Sequence, residues 1–416
     1  MFINRQEHIK AIQEFLADDA RRLVVVQGLP GIGKTLLAAK LAEALRARFE
    51  AVLWITCKDD QASPDVLFAK LHAFFEENGE HGLRGVWNDP SPDQLQMKIN
   101  LLIHALDENS YLLIFDDFQN WLGPDCQLKN PEVRQVLATI LGTAHQSKIL
   151  LISDQRPLLD PMAFRLPVGA TLESIILGLT EPNAIQLLNV TGLKFEDEAL
   201  QNRIVQHCDG NPYMLHMFSY LVSRLHRDPE ELLSSGETET KFNGLLQAAT
   251  RDLSQDSRSA LETLSIIRLP LSQRQLQALD LRFDKVIGPL LDRFLVIEDT
   301  PSLQFGVSTV VRNFIKGALA EPRRLQLHKQ AVAFYVKQRR GRVPQNYEEL
   351  QLALEEGYHR FEYGDRVGGA DAIIFVTQLL VDWGYINLAE QNILQALNNT
   401  ENDALKAQCW WLQGRI

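Results

Sequence analysis

Along the first 180 residues the apolar positions follow two spacings. Leu23-Val24-Val25-Val26-Gln27, Ala51-Val52-Leu53-Trp54-Ile55, Leu112-Leu113-Ile114-Phe115, Ile149-Leu150-Leu151-Ile152 and Ser174-Ile175-Ile176-Leu177 are short runs without the polar alternation of a half-exposed strand. Such runs, rich in β-branched side chains, predict strands covered on both faces. Between them the period turns helical: Leu36, Leu37, Leu41 and Leu45 share one face, with Lys40, Glu43, Arg46 and Arg48 largely elsewhere. Ser91-Pro92-Asp93 predicts an N-cap, a proline at the first helical position and an acidic first turn, opening a helix through Leu106. Five strands with helices between them predict an α/β domain over residues 1–178 with a parallel sheet.

Beyond residue 178 the strand signal almost vanishes. Helices are predicted over Glu181 to Val190, Asp197 to Cys208 and Met214 to Leu225, the last after the break at Gly210-Asn211-Pro212, which makes residues 179–250 a helical domain. Over 251–318, helical patterns at Arg258 to Leu264, Ser272 to Leu279 and Val286 to Arg293 precede two apolar runs, Phe294 to Ile297 and Leu303 to Val307, around the turn Asp299-Thr300-Pro301-Ser302. Helices followed by a hairpin predict a winged helix. From 319 to 416 short helices recur at regular intervals, as in a solenoid of helical repeats, and Cys409-Trp410-Trp411-Leu412 resembles the first helix of a tetratricopeptide repeat. A repeat that stopped there would leave an apolar face open, so a longer parent chain is expected.

Composition narrows the function classes. The 416 residues carry 42 Lys plus Arg against 53 Asp plus Glu, a formal charge of −11, which disfavours non-specific binding to nucleic acid or to an anionic membrane. Cys57, Cys126, Cys208 and Cys409 form neither a disulfide framework nor a zinc-ligand spacing, and the N-terminus lacks an apolar export segment. These features suit a reducing cytoplasm. The basic cluster Lys337, Arg339, Arg340 and Arg342 falls beside Gly341 at a helix end, where cations favour the dipole, and reads as a solvated cap.

The chemistry lies in two motifs. Gly28-Leu29-Pro30-Gly31-Ile32-Gly33-Lys34-Thr35 satisfies G-x-x-x-x-G-K-[ST] between a buried strand and an amphipathic helix. Its glycines let backbone N–H groups turn inward around phosphate oxygens, Lys34 is suited to the β- and γ-phosphates, and Thr35 to Mg²⁺. Gly28, Pro30, Gly31, Ile32, Gly33, Lys34, Thr35 and Leu36 are therefore the expected nucleotide-binding stretch. Leu112 to Phe115 ends in Asp116-Asp117, a strand that lifts carboxylates to the ligand edge of the sheet, with Asp116 placed to hold Mg²⁺ and Asp117 to orient an attacking water. No nucleophile elbow and no paired histidine-ligand spacing accompanies them.

Together with Cys208-Asp209-Gly210-Asn211-Pro212 and the opening Phe2-Ile3-Asn4-Arg5-Gln6-Glu7, these elements resemble the NB-ARC type of STAND signal-transducing ATPases over residues 1 to about 316. The resemblance implies that Phe2, Ile3 and Arg5 lie beside adenine and that Pro212 packs on it from the helical domain. Asn4 stands in the glycine place of the family's opening segment, and two further positions depart from the family. After Lys148-Ile149-Leu150-Leu151-Ile152-Ser153, Asp154 stands where the family has an arginine aimed at the γ-phosphate, and Arg156 follows two residues later as the candidate replacement. Ser308 replaces the histidine that contacts the ADP β-phosphate in relatives.

The resemblance implies an ATP/ADP-dependent switch that is closed with ADP, opens when the C-terminal solenoid senses a ligand or protein, exchanges to ATP with Mg²⁺, self-oligomerises and hydrolyses ATP slowly. An enzyme whose main product is chemical would need an acceptor-binding motif, and none is visible. The alternative is an ATP-dependent transcription regulator whose DNA-binding or effector module lies outside this chain, since Ser272-Gln273-Arg274-Gln275-Leu276-Gln277 carries one arginine and no basic stripe.

Overall fold

Alternate residues of the central strands are buried in two separate cores, which is the physical signature of a sheet covered on both faces. The protein is described, in a computed structural model, over residues 5–57, 62–79, 94–159, 169–194, 197–234, 238–299 and 303–416. Strands β1 (Leu23–Gln27), β2 (Ala51–Thr56), β3 (Tyr111–Asp116), β4 (Lys148–Ser153) and β5 (Thr171–Ile175) form one sheet in the order β2-β3-β4-β1-β5, with all neighbours parallel. Val24, Val26, Leu112, Ile114, Leu150 and Ile152 pack on one side with helices α1 (Gln6–Leu16) and α2 (Lys34–Leu45). Leu23, Val25, Leu113, Phe115, Ile149 and Leu151 pack on the other side with α3 (Pro64–Glu77), α4 (Gln94–Glu108) and α5 (Pro131–Gly142). A one-residue slip of any central strand would exchange its two apolar sets, so register and packing specify each other.

The fifth strand differs from expectation. It occupies Thr171–Ile175 rather than Ser174–Leu177. β5 is an edge strand with Glu173 in its middle, so its pattern is half-exposed and the apolar run alone points too far along the chain. Leu177 is in fact 70% exposed, whereas Ile176 is buried. The cap expected at Ser91-Pro92-Asp93 lies outside the described residues, while the helix it would open runs from Gln94 to Glu108.

The chain divides into two compact units, one of residues 1–177, 377–394 and 408–416, the other of 178–376 and 395–407. The second begins with helices α6 (Glu181–Val190), α7 (Glu198–His207) and α8 (Pro212–Ser223). Farther along, after α9 (Pro229–Leu233) and α10 (Thr238–Arg251), α11 (Gln255–Ile266) precedes a three-stranded antiparallel sheet of β6 (Leu271–Ser272), β7 (Ile297–Asp299) and β8 (Gln304–Gly306) in the order β6-β8-β7. Its strands are shorter than the apolar runs suggest because Phe294 takes a left-handed φ of 59° and Leu295 and Val296 turn into the core. The turn at 300–302 lies outside the described residues. From Glu321 to Gln413 the chain is a succession of helices, and among the described residues no helix is long and apolar enough to cross a membrane.

Within the first unit, Asp65 on α3 is buried and accepts a hydrogen bond from the Leu388 N–H at 2.8 Å. Burial outweighs that bond and pushes its carboxyl up to about 6, from an ordinary 3.8. A folded-state value above the unfolded one means a contribution to stability that is present below pH 4 and lost as pH rises through about 6, on the order of 3 kcal/mol. Asp65→Asn, which keeps an acceptor but cannot ionise, is expected to lose less stability between pH 4 and 7 than the parent chain in urea titrations; parallel pH profiles would contradict this assignment.

Candidate functional site

The site is built where β3, β4 and β1 end side by side. Beyond Gln27 the chain must turn so closely under its neighbour that a Cβ on Gly28 would stand 2.6 Å from the Ile176 carbonyl oxygen, which excludes any side chain there. Gly33 caps α2 with a φ of 99°, and nothing lies within 4 Å of where its Cβ would project. Helix α2 has no side-chain cap, so its first-turn N–H groups face an open cradle that suits an anion. Ile32 is buried and anchors the loop, while Gly31, Thr35 and Leu36 are exposed and Pro30 is half-buried.

Lys34 is held by the loop it belongs to. Its Nζ donates to the Gly28 and Leu29 carbonyls at 2.9 and 3.1 Å and to Asp154 Oδ1 at 2.5 Å. The lysine side chain is 9% exposed and the aspartate 29%, so the pair is only partly screened by water. Asp154, the departure from the family pattern, thus neutralises the cation that would otherwise face phosphate.

Asp116 and Thr35 meet beside this pair. The Thr35 hydroxyl donates to Asp116 Oδ1 at 3.2 Å, and the Asp117 N–H donates to the same oxygen at 3.0 Å. Burial, reinforced by the neighbouring Asp117 charge, raises the Asp116 carboxyl to about 7, and burial raises Asp117 as well. Asp117 takes a left-handed φ of 55°, a region that Asp enters more readily than most residues other than glycine. A hydroxyl and a desolvated carboxylate are hard oxygen donors that fit Mg²⁺. Among the described residues no group of three His, Cys, Asp or Glu could hold a metal unaided, so phosphate oxygens and water would have to complete its shell.

Gln119 joins the two halves of the site. Its Nε2 donates to Asp117 Oδ1 at 3.1 Å and its Oε1 accepts from the Asp154 N–H at 3.1 Å. No motif singles it out, because a 3₁₀ turn over Phe118–Trp121 carries it there. Arg5 is buried and donates to the carbonyls of Leu177 at 2.6 Å and Ile32 at 3.4 Å, which ties the N-terminal segment to the phosphate loop. Phe2 and Ile3 lie outside the described residues. Arg156 stands apart: it is exposed and its guanidinium pairs with Glu173 at 2.9 Å, not with a member of the cluster.

In the second unit the remaining two candidates, Pro212 and Ser308, are linked through Tyr213. A Cβ on Gly210 (φ 64°) would stand 2.4 Å from the Leu179 carbonyl oxygen, and one on Gly178 would stand 2.1 Å from that of Asp209, so two backbone segments touch without side chains between them. Asn211 then caps α8 by accepting from the Tyr213 and Met214 N–H groups, with Pro212 at its first position. The Tyr213 phenol hydrogen-bonds Ser308 and donates to the Phe294 carbonyl. Ser308 also caps the helix Thr309–Ala318, accepting from the Val311 N–H. The serine thus has a local structural task beside the one its place in the sequence suggests.

Residues 1–152 match the family described as AAA ATPase domain. An uncharacterized WD repeat-containing protein of Nostoc sp. is 27% identical over 301 residues, 67% of this chain and 23% of that protein. The disease resistance protein RRS1 of Arabidopsis thaliana is 26% identical over 250 residues, 59% of this chain and 16% of its own length. The chain therefore spans less than a quarter of these relatives. The crystal structure of a Signal Transduction ATPase with Numerous Domains (STAND) protein with a tetratricopeptide repeat sensor, from Pyrococcus horikoshii, superposes with a TM-score of 0.72 at 16% identity, covering 99% of this chain and 57% of that one.

Two expectations follow from the geometry. Replacing Asp154 by Asn frees Lys34 from its ion pair and removes a negative charge from the cradle, so ADP affinity, followed with a fluorescent analogue, is expected to rise about tenfold; unchanged or weaker binding would show that the aspartate orients the lysine instead. Ser308→Ala removes a helix cap and is expected to cost about 1 kcal/mol in urea denaturation, with Ser308→Thr restoring most of it.

Proposed function

We propose that this chain, a STAND-type P-loop ATPase by its motifs and its fold, is a nucleotide-operated signalling switch whose resting form holds ADP. The observation that carries the reading is the convergence of Lys34, Thr35, Asp116, Asp117 and Asp154 around the glycine loop. Lys34 would leave Asp154 for the β- and γ-phosphates, with the loop N–H groups holding the remaining oxygens. Thr35 and Asp116 would hold Mg²⁺, which supplies charge neutralisation across the phosphates. Asp117, steadied by Gln119, would orient the attacking water and accept its proton.

Arg5, and with it Phe2 and Ile3, would flank the base, Pro212 would pack on it, and Ser308 would offer a hydroxyl to the phosphates when it turns from Tyr213. A serine hydroxyl is uncharged, so the ADP-bound form would be held less tightly than by a histidine. Arg156 serves as the γ-phosphate sensor in this scheme only by exchanging Glu173 for the nucleotide. Four modules, 1–178, 179–250, 251–318 and 319–416, would carry these parts, with the solenoid that begins in the last one recognising a ligand or protein. Exchange to ATP then permits self-association in the cytoplasm, and slow hydrolysis resets the chain.

The test is the nucleotide released by heat from the purified chain, together with titration of ADP and ATP. ADP is expected in the released fraction, and Lys34→Ala is expected to weaken both nucleotides at least about a hundredfold. Asp117→Asn is expected to bind ATP normally and to hydrolyse it at a much lower rate. A chain that binds neither nucleotide, or that is indifferent to Lys34→Ala, would refute the reading.

A further inference from the structure

Away from the phosphate loop, the second unit contains a cavity of about 490 Å³ whose lining, among the described residues, includes Arg274, Arg339, Arg340 and Arg342 and one carboxylate, Glu349. Four separate stretches supply it: the start of the helix Gln273–Ala278 brings Arg274, the strand Gln304–Gly306 brings Gln304, the end of the helix Glu321–Arg339 with the turn after it brings the other three arginines, and the helix Tyr347–Glu362 brings Glu349 and Leu352. The spacing of those three arginines in sequence suggested a solvated helix cap. They do sit at that helix end, with Arg340 at the cap and Arg340 and Arg342 exposed, and the fold adds Arg274, far upstream in the chain, to the same concavity.

The four guanidiniums are not equivalent. Arg339 is bonded to the buried Glu356 at 2.5 Å, which fixes it in the wall, and Glu356 is shared with Arg360 at 3.0 Å. Among the described residues no carboxylate pairs with Arg274, Arg340 or Arg342, and Glu349 accepts the backbone N–H of Gln345. Like charges brought to one cavity repel, the more so where low-dielectric walls focus the field. In a chain of net charge −11 such a cluster is a local concentration of positive charge that favours an anion, not part of an overall basic surface.

The remaining lining selects among anions. Among the described residues, Ser272, Gln275, Gln304 and Gln338 add hydrogen-bonding groups to the lining, Pro344 and Leu352 are its apolar members, and no aromatic side chain is present. The Ser272 and Gln275 side chains are already locked in a reciprocal capping box, so that part of the wall is preorganised. Absence of a ring disfavours a nucleobase or single-stranded nucleic acid, both of which use stacking platforms. The volume is that of a small-molecule site, and planar guanidiniums match phosphate oxygens in a bidentate way.

We propose that this cavity binds a small, multiply charged phosphate compound, at a site separate from the phosphate loop and independent of the switch reading. The probe is inorganic tripolyphosphate, titrated calorimetrically into the full chain and into its Lys34→Ala variant at physiological ionic strength. The Lys34→Ala chain is expected to retain one saturable site, and Arg274→Gln or Arg342→Gln in that background to weaken it at least about tenfold. Both arginines are exposed, and unchanged thermal melting of the variants checks that they fold. No saturable site in the Lys34→Ala chain, or a site indifferent to both arginine substitutions, overturns the proposal. So does tighter binding of a 20-base-pair DNA duplex than of tripolyphosphate with a steep salt dependence, which would make the face a nucleic-acid contact.

Discussion

Side-by-side pairing of β3, β4 and β1 is the constraint on which the candidate site depends. Parallel strands end at the same edge, so three chain segments far apart in sequence deliver Asp116, Asp154 and the glycine loop to one place. That pairing requires both faces of the sheet to be covered, which the alternation of Val24, Val26 against Leu23, Val25 secures. The charged groups at the edge are thereby desolvated on the protein side. Desolvation explains the raised Asp116 carboxyl.

The second unit solves a similar problem without a large sheet. Arg268 donates to Glu355 with two nitrogens at 3.1 and 2.8 Å and lies 3.7 Å from the centre of the Tyr358 ring. Arg312 donates to the Ser265 and Ile267 carbonyls at 2.9 and 2.6 Å. Arg312 thereby ties the helix Thr309–Ala318 to the end of Gln255–Ile266, and Arg268 ties the segment after that end to the helix Tyr347–Glu362. Tyr213 performs the same service between residues 212–223, Phe294 and Ser308.

Much of this was legible from residue order because it rests on local rules. The central strands announced themselves as unbroken apolar runs, and the helix Glu181–Val190 matches its expected limits. The phosphate loop and Asp116-Asp117 were legible because their chemistry requires particular residue types at fixed spacing. What stayed hidden depends on contacts distant in sequence. Edge exposure moved β5, a 3₁₀ turn delivered Gln119, and Asp154 looked like a simple departure until Lys34 was found against it. The arginines after residue 338 looked like a helix cap and no more, because nothing local reveals that Arg274 and Gln304 share their cavity.

The contact between Gly178 and Gly210 has a mechanical consequence. Where side chains separate two segments, rotamers can adjust and absorb small displacements. Here backbone meets backbone, and the Leu179 N–H is fastened to the Gly210 carbonyl at 2.8 Å. No side chain lies between the two segments at this seam to take up a displacement, so a shift of Asn211-Pro212 is passed on to the stretch that leads to Glu181. The seam works as a rivet, and whatever displaces one segment must move both.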